Sequence, residues 1–329
     1  MATYQGGRFL RAQLESLAGQ TRYPSELVVH DDGSHDDTLA VLDSFARVAP
    51  FDVRVLTGRA RVGYAQNFER ALRECSGDIV FFCDQDDVWF PSKIEQVCLA
   101  MMSDPSVHLV AHDRVVVDEA LRGPGISTLA MMRARGEDVG SYVAGSSTAL
   151  RRPLVDLVLP FPANVGHDEW VHLVARVLGV GKILDEPLMY YRRHDSNVSV
   201  SFVDPHRRSL PVRLVVSDWV RRFTTSVSGQ RIRLLATQRD IHAELARRLR
   251  SREAQALSPS SLDAALGAEQ RANAIGLRLD AQASIWFARA RALARARRSG
   301  AYANGARGLG ALALDLLGPR TEEQGEHGS

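Results

Sequence analysis

The sequence predicts an α/β fold followed by a helical C-terminal extension, and three observations carry this prediction. Short β-branched runs alternate with stretches of helical periodicity over the first two hundred residues. Two of the predicted strands end in clusters of aspartates. Beyond residue 205 the chain becomes rich in Ala and Arg and loses the strand pattern. The alternation in the first part is typical of a mostly parallel sheet with helices packed against it.

The composition excludes several classes of protein. With 329 residues, of which 45% are apolar, the chain can build a substantial core, so a disordered or collagen-like protein is excluded. No uncharged apolar run approaches the roughly 18 residues of a membrane-spanning helix, and no signal peptide is evident. The three cysteines are few and odd in number, which predicts a protein of the reducing cytoplasm.

The predicted elements follow one another in a regular order. We expect strands over 27–30, 52–56 and 78–83, and helices over 8–19, over 64–75 and around Leu39, Leu42 and Phe45. The alternation also calls for a strand before the first helix, where only a few residues stand. We therefore expect the chain to begin inside its first strand.

The acidic cluster after the strand over 78–83 predicts a metal site. Asp84, Asp86 and Asp87 place three carboxylates within four positions, and such like charges repel one another unless a cation lies among them. A hard divalent cation, Mg²⁺ or Mn²⁺, fits this donor set and often completes its shell with substrate phosphates. The alternative is a solvated acidic loop. Because the cluster directly follows an apolar strand, we favour the metal site.

A second pair of aspartates, Asp31 and Asp32, ends the strand over 27–30. Part of this motif can be explained as a turn and a helix cap. Two carboxylates at the carboxyl end of a strand exceed what a cap requires, however. They are suited to accept hydrogen bonds from a nucleobase or from ribose hydroxyls.

A third acidic motif, His167-Asp168-Glu169, opens a predicted helix that extends through Leu178. Acidic residues are favourable at the start of a helix in any case. Asp168 is also suited to act as a general base if it faces the cleft. A zinc site is not expected, because the spacing of His167 and His172 does not match a His-x-x-x-His pair.

The basic motif at residues 192–194 leaves two interpretations open. Arg192 is suited to bind phosphate and His194 to reach a metal ion. Alternatively, the motif is a basic strand edge exposed to solvent. The residues alone do not decide between the two.

Taken together, these motifs resemble the family 2 glycosyltransferases of the GT-A fold, in particular the rhamnosyltransferase-like branch that builds bacterial surface polysaccharides. The resemblance covers about residues 1–200 and several motifs in the same order. They are Met1-Ala2-Thr3-Tyr4-Gln5-Gly6, Ser16-Leu17 with Gln20-Thr21, Asp31-Asp32-Gly33-Ser34, Gly63-Tyr64-Ala65-Gln66-Asn67-Phe68, Phe82 to Trp89 with Pro91 and Lys93, Gly145-Ser146-Ser147, His167-Asp168-Glu169-Trp170, and Tyr191-Arg192-Arg193-His194 with Asn197. Gln5 stands where the family usually has Asn.

The resemblance implies a role for each part of the site. Asp86 and His194 would hold Mg²⁺ or Mn²⁺, and Asp168 would be the base of an inverting, single-displacement transfer. Thr3 and Tyr4 would lie beside the nucleotide, Asp32 would contact the base and Asp84 the ribose side. The complete nucleotide-sugar site would comprise Thr3, Tyr4, Asp31, Asp32, Asn67, Asp84 and Arg192.

The charge of the chain divides it into two parts. Residues 1–205 hold 20 Lys and Arg against 28 Asp and Glu, whereas residues 206–329 hold 21 against 11. We expect a GT-A domain over 1–205 with a truncated first strand, an Arg/Ala-rich helical extension over 206–320 and a disordered tail over 321–329. The extension could contact an anionic membrane at its inner face or form a solvated helix bundle. A nucleic-acid partner is not expected, since no binding motif is present.

The expected activity is metal-dependent transfer of a sugar from a dTDP- or UDP-activated donor to a polysaccharide or lipid-linked acceptor. Rhamnose is the sugar that the resemblance favours. A nucleotidyltransferase is a weaker alternative, because Gln5-Gly6-Gly7-Arg8 is too short for its phosphate loop. The remaining alternative is a truncated, inactive transferase-like protein that binds a partner or a membrane.

Overall fold

The computed structural model describes residues 1–58, 60–123, 125–195, 197, 234–277 and 279. The chain divides into two compact units, of which the first joins Met1–Ser201 to Glu244–Gly267. The described residues of the second unit, 234–243, 268–277 and 279, are helical. The expected tail and most of the expected extension lie outside the described residues, and the boundaries at 205 and 320 stay predictions.

The first unit alternates strands and helices for most of its length. Its strands are β1 (Ala2–Thr3), β2 (Glu26–Asp31), β3 (Asp52–Thr57), β4 (Ile79–Phe81), β5 (Val88–Trp89), β6 (Leu109–Val117), β7 (Thr148–Arg151) and β8 (Gly181–Arg192). Its helices are α1 (Gly7–Ala18), α2 (Thr38–Ala46), α3 (Tyr64–Glu74), α4 (Lys93–Met102), α5 (Thr128–Ala134), α6 (Arg152–Val158) and α7 (His167–Leu178). Farther along the chain, α8 spans 234–249, α9 spans Arg252–Leu257 and α10 spans 261–277.

The first three strands form a parallel sheet in the order β1-β2-β3. β1 pairs with the end of β2, with Ala2 opposite His30 and Thr3 opposite Asp31. A strand therefore does precede the first helix, and it is two residues long. The register brings residues 3 and 4 to the edge of the sheet where the Asp31-Asp32 pair also lies.

The other five strands form a mixed sheet in the order β4-β7-β6-β8-β5. β7 runs antiparallel to both β4 and β6, β5 runs antiparallel to β8, and β6 and β8 are parallel. The sheet is thus less parallel than the alternating sequence pattern suggests. That pattern reports on individual strands and not on which strands pair with each other. The antiparallel directions of β5 and β7 are therefore determined by the folded chain.

Helix α1 contributes a major part of the core. Leu10, Leu14 and Leu17 recur at helical spacing, are at most 2% exposed and belong to one apolar cluster with Val29 of β2 and Met189 of β8. Burial of each leucine stabilises the fold by about 1.5 to 3 kcal/mol. This packing connects α1 to both sheets.

Arg248 of α8 is held against the first two hundred residues by hydrogen bonds. Its guanidinium donates to the carbonyl oxygens of Leu157 (2.6 Å), Leu159 (2.5 Å) and Pro160 (2.7 Å), and it also pairs with Glu244. The residue is 7% exposed. These carbonyls lie at the end of α6, where a helix leaves backbone acceptors without partners.

We predict that Arg248→Met lowers the free energy of unfolding by about 2 to 3 kcal/mol, since buried carbonyl acceptors lose a charged donor. The neighbouring Arg247 is the matched control. Its side chain is 65% exposed and also pairs with Glu244, so Arg247→Met should cost less than about 1 kcal/mol. Urea denaturation of both variants measures the difference, and equal losses would contradict the prediction.

Candidate active site

The two acidic motifs meet at one edge of the sheets, as the sequence predicts. Gln85 links the Asp84-Asp86-Asp87 cluster to the end of β1, where Thr3 pairs with Asp31: its side chain accepts a hydrogen bond from the Tyr4 backbone nitrogen (2.9 Å) and donates to the Tyr4 carbonyl (3.0 Å). The neighbouring Gly6 lies so close that a Cβ atom would approach the Gln85 Oε1 to 2.2 Å. Glycine is therefore required for the close contact of these two loops.

The three aspartates after β4 form a compact group. One carboxylate oxygen each from Asp84, Asp86 and Asp87 can be chosen so that all lie within 4.8 Å of one another. The imidazole Nε2 of His194 lies 2.8 Å from the Asp86 Oδ2. The structure thus brings together the four residues that sequence analysis connects with a metal ion.

The electrostatics of this group favour a cation. Burial, reinforced by the charges of Asp87, Asp86 and Asp168, raises the pKa of Asp84 well above its ordinary value. Burial and the charge of Asp86 likewise raise the pKa of Asp87 to about 7. Among the described residues, no donor reaches the buried Asp87 Oδ2. Carboxylate oxygens and one imidazole form a donor set suited to Mg²⁺ or Mn²⁺.

Lys93 is completely buried and lies within the electrostatic reach of Asp84 and Asp87. Its Nζ donates to the Ser146 carbonyl (2.8 Å) and lies 3.6 Å from the centroid of the Trp89 ring. Burial lowers the pKa of Lys93 to about 7, although the charges of Cys83, Asp87 and Asp84 oppose the shift. The sequence pattern assigns no role to this lysine, because its distance from the aspartates depends on how α4 packs in the folded chain.

Arg192 secures the acidic loop. Its Nε donates to the Asp86 carbonyl (2.8 Å), and its Nη1 donates to the Glu119 carbonyl. Its backbone nitrogen donates to the Asp87 Oδ1 (3.1 Å). The side chain is therefore anchored on backbone oxygens, and a contact with substrate phosphate stays a prediction.

The residues expected beside the nucleotide are linked by hydrogen bonds within the protein. Asp31 accepts from the Thr3 hydroxyl (2.8 Å), from the Ser34 hydroxyl (2.7 Å) and from two backbone nitrogens. Asp32 accepts from the backbone nitrogens of Val62 (2.8 Å) and Gly63 (2.9 Å). Both aspartates are nearly inaccessible to solvent. Each shapes the loops of the pocket, and direct contact with a nucleotide stays a prediction.

Asn67 connects three of the same elements. Its Nδ2 donates to the Thr3 carbonyl (3.1 Å), and its Oδ1 lies 2.7 Å from the Nδ1 of His30. It therefore ties α3 to β1 and β2. Tyr4 is covered by the guanidinium of Arg61, whose Cζ lies 3.9 Å from the ring centroid.

Asp168 stands at the start of α7 and is partly buried. Its Oδ1 accepts a hydrogen bond from the Glu169 backbone nitrogen (3.0 Å). Its charge helps to raise the pKa of Asp84 and also that of Tyr64, for which burial is the larger cause. The carboxylate thus lies in the electrostatic neighbourhood of the acidic group, and its role as a base stays a prediction.

His167 is a further feature that sequence analysis did not predict. Its ring stacks on Phe68 at 4.1 Å and meets Phe82 edge-on at 4.8 Å. Burial lowers its pKa to about 4, although the charge of Asp168 opposes the shift. The imidazole is therefore neutral near pH 7 and packs against the rings of Phe68 and Phe82.

Residues 1–156 match the family model "Glycosyl transferase family 2". The chain is 26% identical over 212 residues to an uncharacterized glycosyltransferase of Nostoc sp., covering 61% of this chain and 66% of that protein, just under two thirds of its length. It is 25% identical over 256 residues to the dTDP-rhamnosyl transferase RfbG of Shigella flexneri, covering 70% of this chain and 83% of RfbG.

Solved structures show the same fold. The crystal structure of S. aureus TarS 1-349 in complex with UDP superimposes with a TM-score of 0.52 at 17% identity, covering 83% of this chain and 88% of that one. The mixed α/β architecture and this likeness confirm the GT-A fold that the motifs predict.

We predict that the affinity of the acidic group for Mn²⁺ rises as the pH increases from about 6 to about 8. Asp84 and Asp87 have raised pKa values, so the group gains the negative charge that attracts the cation only as these two carboxyls lose their protons. Calorimetric titration of Mn²⁺ at several pH values measures the effect. An affinity that is constant, or that falls with pH, would contradict this assignment of the carboxylates.

Proposed function

We propose that this chain, which belongs to glycosyltransferase family 2, transfers a sugar from a nucleoside diphosphate to a hydroxyl group of a glycan or lipid-linked acceptor, with inversion at the anomeric carbon. One observation carries the proposal. Three aspartates and His194 form one compact group, and the charge of Asp168 acts on Asp84 of that group, so that a candidate metal site and a separate carboxylate are neighbours. This pairing is what a metal-assisted single displacement requires.

Asp86 and His194 are the residues that would hold a divalent cation, with Asp84 and Asp87 beside them. When bound, the cation would neutralise the negative charge that develops on the departing nucleoside diphosphate. Two basic side chains of the protein position the loops of the site. Arg192 fixes the acidic loop through the Asp86 carbonyl, and Lys93 holds the neighbouring loop over 145–147 through the Ser146 carbonyl, so these loops are positioned before any ligand arrives.

Asp168 is the proposed general base. It would take the proton from the acceptor hydroxyl while that oxygen attacks the anomeric carbon, and the bond to the diphosphate oxygen breaks on the opposite side. One bond forms and one breaks, and no covalent enzyme intermediate is needed. The neutral ring of His167, the residue before Asp168, packs against Phe68 and Phe82 and so places no competing cation beside the proposed base.

The proposed donors are dTDP- and UDP-sugars. The similarity to a protein named as a dTDP-rhamnosyl transferase supports dTDP-rhamnose, and the fold shared with a UDP-bound protein supports a UDP-sugar. We place the reaction in the synthesis of cell-surface polysaccharide. The sparse cysteines support a cytoplasmic location.

Contact of the basic C-terminal part with an anionic membrane remains part of the proposal. None of the helices in the described part of the chain has the length and apolar composition needed to cross a bilayer.

We predict that UDP or dTDP binds the protein only when Mn²⁺ is present, and that Asp86→Ala weakens this binding about 100-fold because the cation loses a central ligand. Calorimetric titration of both nucleotides, with and without Mn²⁺, measures the effect. The exposed Asp138→Ala is the control and should bind as the wild type does. If the folded wild type binds neither nucleotide with metal, the proposed activity is wrong.

We further predict that Asp168→Asn lowers the rate of sugar transfer by about 10² to 10⁴, because the amide cannot accept the hydroxyl proton. Binding of UDP or dTDP with Mn²⁺ should stay within about threefold of the wild type. Glu169→Gln is the neighbouring control and should retain most activity. A similar loss in both variants would indicate that Asp168 acts through the structure of the helix.

A further inference from the structure

Arg114 occupies an irregular position in β6. The register between β6 and β8 shifts on both sides of Asp113, so that Arg114 has no paired residue in β8. Such irregularities re-aim the side chain that they carry. The Arg114 guanidinium lies over the Tyr191 ring, with its Cζ 3.8 Å from the centroid, and 6.0 Å from the centroid of Tyr142. Two tyrosine rings therefore fix the orientation of a cation.

The guanidinium of Arg114 makes no hydrogen bond or ion pair with any described residue, and its Nε is buried without an acceptor. A guanidinium offers five N–H donors, and leaving them unsatisfied in a partly buried position is costly. By contrast, Arg192 and Arg248 each donate to several carbonyl oxygens. Arg114 is thus set apart from arginines whose role is to hold the fold together.

Among the described residues, Asp84 lacks a hydrogen-bond donor, just as Arg114 lacks an acceptor. Its carboxylate accepts no hydrogen bond from the described residues. Its charge nevertheless acts on Arg114, as does that of Asp87, so the groups are electrostatic neighbours without forming an ion pair. Within the described part of the chain, Arg114 therefore offers N–H donors that have no acceptor, and Asp84 offers carboxylate oxygens that have no donor. The two side chains are electrostatic neighbours.

The loop over 145–147 brings this pair of groups near the proposed base, since a Cβ added at Gly145 would lie 3.5 Å from the Asp168 Cβ. Asp168 also acts on the charge of Asp84. The Tyr142 hydroxyl lies 3.3 Å from the Ser147 Oγ and 3.2 Å from the His112 carbonyl, so the ring beside Arg114 is anchored next to the loop over 145–147. In a single displacement, the transferred sugar lies between the diphosphate and the base.

We propose that Arg114 is a specificity-determining residue that donates hydrogen bonds to hydroxyl oxygens of the transferred sugar, while Asp84 accepts from a hydroxyl of the same sugar. A hydroxyl is both donor and acceptor, so it matches this pair of unpartnered groups. Asp84 and Asp87 offset the positive charge of Arg114, so the site suits a neutral sugar better than an anionic group. This inference rests on the proposed function.

The test compares nucleotides with and without a sugar. UDP, UDP-glucose, UDP-galactose, dTDP and dTDP-rhamnose are titrated in the presence of Mn²⁺ into the full chain, into Arg114→Met and into Arg114→Lys. The exposed Arg122→Met is the matched control. Hydrogen bonds to a charged donor contribute roughly tenfold or more to affinity. We expect both Arg114 variants to lose at least about tenfold of the affinity that the preferred sugar adds, with UDP and dTDP affinities changed less than about twofold.

Other outcomes would overturn the inference in distinguishable ways. Variants that keep the full contribution of the sugar, or that lose affinity for UDP and dTDP to the same extent, would show that Arg114 does not bind the sugar. The same conclusion follows if no sugar improves binding to the wild type. If the wild type binds no nucleotide at all, the proposed function itself fails. Thermal unfolding of Arg114→Lys, which retains charge and most packing, distinguishes lost contact from lost folding.

Discussion

Repulsion among buried carboxylates is the constraint on which the site depends. Asp84, Asp86 and Asp87 are held together at the end of a short strand, and the raised pKa values of Asp84 and Asp87 indicate that ionisation of these two carboxyls is unfavourable without a cation. Arg192 lies beside the group and donates to the Asp86 carbonyl, whereas Lys93 donates to the nearby Ser146 carbonyl. Both side chains are anchored on backbone carbonyls, so neither occupies the carboxylate oxygens that a metal ion would need.

The same arrangement explains how two separate acidic motifs act as one site. Gln85 stands between two of the clustered aspartates, yet its side chain bonds to the backbone of Tyr4 at the end of β1. Asp31 and Asp32 in turn hold the loops on the other side of that strand. The pocket is therefore built largely from side chains that bond to backbone. Such bonds preorganise the loops, so that less ordering is required when a ligand binds.

Local patterns predicted the elements of the site well. The structure contains the strands predicted before Asp31-Asp32 and before Asp84, and the helix that begins at His167. It also brings His194 next to Asp86. They could be predicted because a short apolar run fixes where a strand ends, and a polar residue immediately after it cannot lie far from that end. β6 was not predicted, since His112-Asp113-Arg114 interrupts its apolar pattern at the register shifts.

The sequence by itself determined the chemistry that is available: carboxylates at strand ends, a carboxylate at a helix start, and enough apolar surface to support them. Only the tertiary structure decided which charged residues meet. Lys93, at the start of α4, lies within the electrostatic reach of Asp84 and Asp87. Arg114 lies within the same reach because β6 is placed between β7 and β8. The physical reason is that strand order and helix packing bring together residues far apart in the chain, whereas sequence periodicity reports only on near neighbours.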